Sequence, residues 1–109
     1  MNILQLEDLD YTKMSRYQIP MTDLSSSLYI GWDPTLKSYF AYIERIDSFD
    51  EKEIVFRTEC RYKEIYDPLV LLRVLDTYIP KISGNFTLIN KLLNDKYCNS
   101  CKDEEYFYI

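Results

Sequence analysis

The segment Cys98-Asn99-Ser100-Cys101 has the spacing of cysteine pairs that carry out thiol redox chemistry or bind zinc. A redox pair of the thioredoxin type lies at the N-terminus of a helix that follows a strand, where the helix dipole lowers the thiol pKa. Here the pair follows a predicted helix. A structural zinc site needs four ligands, whereas Cys60 brings the cysteines to three and the chain has no histidine. We predict reduced, unmetallated thiols; a thiol or zinc protein using Cys60, Cys98 and Cys101 is an alternative.

Other catalytic patterns are weak. Without histidine the chain lacks the commonest general base, and Gly31 and Gly84 stand alone rather than in a phosphate-binding loop. The 18 acidic residues show no spacing that singles out a pair, and Asp33 and Asp67 each precede a proline, as turn and cap residues do. We therefore predict no catalytic, cofactor-binding or metal-binding residue and no cofactor. A small carboxylate-based enzyme or enzyme subunit is the alternative.

Composition and charge limit the classes of partner. A length of 109 residues predicts one domain. The 13 basic residues are scattered singly against 18 acidic ones, a net charge of -5, so direct nucleic-acid binding is not expected. No apolar run reaches the roughly 18 residues of a membrane helix, and the first residues lack a signal-peptide pattern. We expect a cytoplasmic protein without membrane contact.

Three strands are predicted in the first half of the chain. Leu28, Ile30 and Trp32 alternate on one strand face, and the turn Asp33-Pro34-Thr35 leads into the run 39–43, which is apolar on both faces as in a strand covered from two sides. A third strand is indicated where Ile54, Phe56 and Cys60 alternate with charged residues.

Two helices follow. Asp67 and Pro68 predict a capped helix over residues 69–79 that is apolar nearly all round and largely buried. After Pro80 and the cap at 83–85, a second helix is predicted with an apolar stripe and a polar opposite side. The stripe comprises Phe86, Ile89, Leu92 and Leu93, and the opposite side Asn90, Lys91, Asn94 and Asp95.

These elements predict an α+β fold in which a small antiparallel sheet of about three strands is covered on one face by two C-terminal helices. Residues 1–13 lack a clean period and are predicted to be an N-terminal extension. Residues 14–98 form the predicted domain, and residues 99–109 an acidic and aromatic tail.

One part of the chain resembles a known group of proteins. The resemblance lies in three segments of residues 14–43, in this order: Met14-Ser15-Arg16-Tyr17, then Gly-Trp-Asp-Pro-Thr-Leu at 31–36, then Tyr-Phe-Ala-Tyr-Ile at 39–43. In these segments the chain resembles small uncharacterised bacterial proteins, notably cyanobacterial ones. Those proteins begin near an equivalent methionine and carry a Gly-Trp-Asp turn before a Phe-Phe-Ala-like strand. The resemblance covers under a third of the chain and implies a hairpin at Asp33 and a dispensable extension before Met14. It carries no function.

Aromatic residues indicate the function class. Eleven tyrosines exceed what a small core accommodates, and tyrosine suits binding surfaces because its ring is apolar and its tip polar. We therefore predict a non-enzymatic module that binds another protein or complex and regulates or inhibits it; a homo-oligomer is compatible with the sequence. One form of this hypothesis is an anti-CRISPR-like inhibitor from a phage or mobile element, whose carboxylates occupy a basic nucleic-acid-binding groove. The predicted partner-binding residues are in the tail: Asp103, Glu104, Glu105, Tyr106, Phe107 and Tyr108.

Overall fold

A computed structural model of the chain describes residues 15–23, 25–59, 61, 63–98 and 105–108. The strands are β1 (Ser15–Pro20), β2 (Ser26–Asp33), β3 (Ser38–Ile46), β4 (Lys52–Arg57) and β5 (Glu105–Tyr106). The helices are α1 (Pro68–Leu75) and α2 (Phe86–Cys98), with a short 3-10 helix (Ile82–Gly84) between them. The predicted extension, residues 1–13, lies outside the described residues.

The strands form one sheet in the order β4-β3-β2-β1-β5. The four strands β1 to β4 are antiparallel, and β5 pairs with β1 in parallel through Tyr17↔Glu105 and Gln18↔Tyr106. Two helices cover one face of this sheet. The predicted α+β class is confirmed, with one more antiparallel strand than the predicted three.

The additional strand is β1, which the sequence pattern did not indicate. Only Tyr17 and Ile19 are large apolar residues on its buried side, and the third buried position is Ser15. The Ser15 hydroxyl accepts a hydrogen bond from the Trp32 amide at 3.1 Å. A polar residue therefore fills a position where an apolar one would have marked the alternation.

The core lies between the sheet and the helices. Trp32 is 2% exposed and contacts Tyr39 edge-on, with ring centroids 4.9 Å apart. Alternate residues of β1, β2 and β3 supply the sheet side, as expected for a pleated strand. The helices supply Leu71, Leu72, Leu75, Leu88, Ile89 and Leu92.

The prediction that β3 is covered from two sides is wrong for the described residues. Tyr39, Ala41 and Ile43 face the helices. Phe40 and Tyr42 point to the other side, where no described helix packs. Phe40 instead lies over Gly31, and Tyr42 stacks on Tyr29, so aromatic residues occupy this side of β3 without a helix against them.

Helix α1 begins where its cap predicted. Asp67 Oδ1 accepts a hydrogen bond from the Leu69 amide at 2.9 Å, and Pro68 occupies the first turn. The helix ends at Leu75 rather than continuing to Ile79. Val70 and Val74 are half exposed, so the prediction that the helix is largely buried holds for one side only.

Helix α2 is rotated relative to the predicted stripe. Asn85 caps it through Oδ1, which accepts from the Leu88 amide at 3.0 Å. Its buried face is Leu88, Ile89, Leu92 and Asp95, whereas Phe86 is 75% exposed. At about 100° per residue, Phe86 lies roughly 130° from the centre of that face. The predicted core position of Phe86 and surface position of Asp95 are therefore both wrong.

Among the described residues, no helix is both long and apolar enough to cross a membrane.

Candidate binding surface

The side of the sheet away from α1 and α2 is the candidate site. We call it the open face, because no described helix covers it. Strand alternation brings together polar and aromatic side chains there, and they surround a shallow polar depression. The open face is formed by Arg16, Gln18, Tyr29, Tyr42, Glu44, Lys52 and Tyr106.

The strand register aligns the aromatic residues of the open face in one transverse row. Gln18 is opposite Tyr29 on one side and Tyr106 on the other, and Tyr29 is opposite Tyr42. Tyr42 is opposite Arg57 on β4. The row therefore crosses all five strands, and three of its five members are tyrosines.

Arg16 holds the centre of this row in place. The Tyr29 and Tyr42 rings stack with centroids 4.8 Å apart. The Arg16 guanidinium lies 5.2 Å from the centroid of Tyr29, and its Nη1 donates to the Tyr42 hydroxyl at 2.9 Å. Stacking, a cation–π contact and a hydrogen bond restrict the same three side chains, so this part of the surface is preorganised.

A small cleft of about 150 Å³ adjoins this group at the β2–β3 turn. Its walls are mainly apolar, and its charged members are Arg16, Asp33 and Glu59. The turn itself is fixed by Asp33, whose Oδ1 accepts from the Thr35 amide at 2.9 Å and from the Leu36 amide at 3.1 Å. The predicted turn at Asp33-Pro34-Thr35 is thus part of a surface cleft.

Gly31 is required beside this cleft because the backbones approach closely there. A Cβ at this position would overlap the carbonyl oxygen of Ser15 and lie 3.0 Å from Cε1 of Phe40. The Phe40 ring therefore occupies the space above β2 that a side chain would otherwise fill.

The predicted tail residues are partly joined to the open face. Tyr106 is 59% exposed and lies in register with Gln18, and Tyr108 is 74% exposed. Their rings are nearly parallel, with centroids 6.2 Å apart. Phe107 between them is half-buried against the core, and its amide donates to the Gln18 carbonyl at 3.0 Å. Tyr106 and Tyr108 are accessible, whereas Phe107 anchors the strand.

The acidic part of the tail is described only at its end. Asp103 and Glu104 lie outside the described residues. Glu105 is described by its backbone, which pairs with Tyr17. The predicted roles of these three residues in binding stay predictions.

The cysteines give no assembled centre within the described part of the chain. Cys60 and Cys101 lie outside it, and Cys98 is exposed, with its Sγ 3.6 Å from Oδ1 of Asn94. No three histidine, cysteine or acidic residues that could hold a metal ion come together among the described residues.

Two buried tyrosine hydroxyls connect the sheet to α2 on the side opposite the open face. Tyr17 donates to Oδ2 of the fully buried Asp95 at 2.6 Å. Tyr39 donates to the Leu92 carbonyl at 2.7 Å. Burial raises the pKa of Tyr39 well above its ordinary value, and the negative charge of Asp95 adds to that shift. Both tyrosines serve the core.

The sequence predicts the tail as a binding segment but does not predict the open-face residues Arg16, Gln18, Tyr29 and Tyr42. One signal was present: Tyr29 lies between Leu28 and Ile30, so a strand with those two residues buried must turn Tyr29 outward. Arg16 and Gln18 carried no comparable signal, because β1 itself was not recognised.

No protein-family model, curated protein or solved structure shows significant similarity to this chain. The resemblance of residues 14–43 to small bacterial proteins stays a prediction.

Proposed function

We propose that this protein is a non-enzymatic binding module that attaches to another protein through the open face of its sheet and regulates or inhibits the complex to which that partner belongs. The observation that carries the proposal is the transverse row of Tyr106, Gln18, Tyr29, Tyr42 and Arg57. A partner lying across it would contact every strand of the sheet.

The side chains of the row suit protein recognition. Tyrosine and arginine are enriched at interface positions that contribute most to binding, since they bury much area with few rotatable bonds. Cross-strand packing accounts for the Tyr29–Tyr42 pair. It does not account for Tyr106 and Tyr108, which are 59% and 74% exposed; Tyr106 lies across Gln18 from Tyr29.

The net charge of the whole chain, rather than that of the open face, supports a basic partner, because the open face itself carries Arg16 and Lys52 against Glu44. The chain carries a net charge of -5, which would accelerate encounter with a cationic surface and make association depend on salt. An inhibitor that occupies a nucleic-acid-binding groove of a defence complex belongs to this class.

Quantitative affinity capture with point variants tests the proposal. Tyr106→Ser and Tyr29→Ser should each lower recovery of the same partner by at least about tenfold, the effect of losing roughly 1.4 kcal/mol at an anchor. Tyr97→Ser is the matched control, because Tyr97 is 77% exposed on α2, on the helical side. Equal loss in all three variants, or loss only in Tyr97→Ser, would contradict the proposal.

Binding kinetics with the recovered partner distinguish long-range electrostatic attraction from anchoring by the tyrosine side chains. Raising salt from about 0.05 to 0.5 M shortens the Debye length from roughly 14 to 4 Å, so association should slow while dissociation changes less. Tyr106→Ser should instead accelerate dissociation. Salt-independent association would remove the argument for a basic partner.

One observation favours the alternative, a carboxylate-based enzyme: Asp33 and Glu59 line the same cleft. Both have roles that need no catalytic explanation, since Asp33 Oδ1 holds the turn and Glu59 forms an exposed ion pair with Arg61 at 2.6 Å. The cleft is also below the roughly 300 Å³ at which small-molecule pockets begin. Binding therefore remains the better supported function.

A further inference from the structure

We infer that the cleft at the β2–β3 turn receives a single arginine side chain of the basic partner protein. This inference rests on the proposed function and names the residue type that the open face recognises. The cleft lies at one end of that face and shares Arg16 and Tyr42 with it.

The size of the cleft favours a side chain over a free ligand. Its volume of about 150 Å³ is roughly half of the smallest volumes usual for metabolite pockets. One long side chain protruding from a protein surface fits this scale, and such side chains inserted in preformed pockets are common binding anchors.

The walls of the cleft match the stem of an arginine. Leu36, Phe40 and Tyr42 provide apolar and aromatic surface. The ring of Phe40 is seated above Gly31, and the Tyr42 hydroxyl is held by Arg16, so neither aromatic wall needs to reorganise on binding. Methylene groups pack on such walls, and a guanidinium can stack on an aromatic face.

The charges of the cleft match the head of an arginine. Two carboxylates, Asp33 and Glu59, lie on it with one cation, Arg16, so its formal charge is negative. The Arg16 guanidinium is directed to the Tyr29–Tyr42 pair. Both turn bonds of Asp33 end on Oδ1, which leaves the acceptor capacity of Oδ2 for a ligand. The ion pair of Glu59 with Arg61 is at least 65% exposed on both sides, and exposed pairs exchange partners at little cost.

An apolar anchor fits less well. A leucine or phenylalanine would remove water from the two carboxylates and give them no hydrogen bond in return, which disfavours burial. A guanidinium offers five donors and bonds carboxylates with a charge-assisted geometry.

Titration with small probes, followed by amide chemical shifts of the whole protein, tests the inference. N-acetyl-arginine amide should cause saturable shifts at Leu36, Ser38 and Phe40 with a Kd of about 1 to 10 mM, the range expected for a ligand of this size. N-acetyl-citrulline amide has the same shape without the charge and should bind about tenfold more weakly at matched ionic strength. N-acetyl-norleucine amide reports binding of an apolar stem.

Single substitutions identify the carboxylates that bind the arginine probe. Asp33→Asn keeps an acceptor oxygen for the turn, and Glu59→Gln changes an exposed group, so both variants should retain the fold. The dispersion of their amide chemical shifts verifies this. Each should weaken arginine binding by about tenfold. Glu53→Gln is the control, because Glu53 is an exposed carboxylate on β4 that pairs with Arg45.

Each other outcome overturns the inference. Equal binding of the arginine and citrulline probes would show that charge does not contribute to binding. Tighter binding of the norleucine probe would assign the cleft to an apolar anchor. The absence of saturable shifts would show that the cleft does not bind the arginine side chain. Shifts that Glu53→Gln alone abolishes would place the binding elsewhere. None of these results affects the capture experiment with Tyr106→Ser, so failure of the arginine pocket is distinguishable from failure of the proposed function.

Discussion

Replacing Tyr17 with Phe should reveal how strongly the buried carboxylate of Asp95 ties the sheet to α2. The substitution removes one hydroxyl and keeps the ring, so it creates little cavity. The lost hydrogen bond is 2.6 Å long and ends on a carboxylate with 0% of its surface exposed. Hydrogen bonds to charged groups contribute about 1.5 to 3 kcal/mol to stability, so the expected cost of the substitution lies in that range.

Tyr39→Phe is the matched comparison. Its hydroxyl is equally buried and also donates to α2, at 2.7 Å, but its acceptor is the neutral carbonyl of Leu92. A neutral hydrogen bond contributes about 0.5 to 1.5 kcal/mol, so this variant should lose roughly half as much stability as Tyr17→Phe. Tyr97→Phe, at a 77% exposed position, should change stability by less than about 0.5 kcal/mol.

Urea denaturation at neutral pH measures these differences. The single tryptophan, Trp32, lies in the core and reports unfolding by fluorescence, and circular dichroism gives an independent signal. A double-mutant cycle of Tyr17→Phe with Asp95→Asn isolates the pair, since the hydroxyl should matter less beside a neutral amide. The reasoning is refuted if Tyr17→Phe resembles Tyr97→Phe, or if Tyr39→Phe costs more than Tyr17→Phe.

Two further predictions concern the same core. Trp32→Ala should destabilise by about 3 to 5 kcal/mol in urea denaturation, because Trp32 is 2% exposed and packs against Tyr39; a change within error would place Trp32 outside the core. Stability should also fall at alkaline pH, because burial raises the pKa of Tyr39 in the folded state. The unfolded chain therefore releases this proton first, near pH 10, and stability is lost as the pH rises further. Denaturation at pH 9 to 11, about one unit either side of the ordinary tyrosine pKa, should show a smaller loss of stability for Tyr39→Phe than for the wild type. Identical losses would exclude Tyr39 as a source.

Local interactions were readable from the sequence alone. The start of α1 depends on Asp67 and Pro68, the turn after β2 depends on Asp33, and both carboxylates bond to amides within three residues of themselves. Such bonds need no distant partner, so residue type and order determine them. The alternation of Leu28, Ile30 and Trp32 likewise determined which face of β2 is buried.

Tertiary packing decided the rest. The buried Asp95 accepts a hydrogen bond from the Tyr17 hydroxyl of a distant strand, and no pattern within α2 shows that partner. The rotation of α2 that exposes Phe86 follows from the same docking. The open face depends on register. Gln18 meets Tyr106 only because the tail returns to pair beside β1, and Tyr42 meets Arg57 next to a register shift between Ile43 and Glu44 of β3. Pairing between strands far apart in the chain sets which side chains become neighbours, and that choice is made by the whole fold.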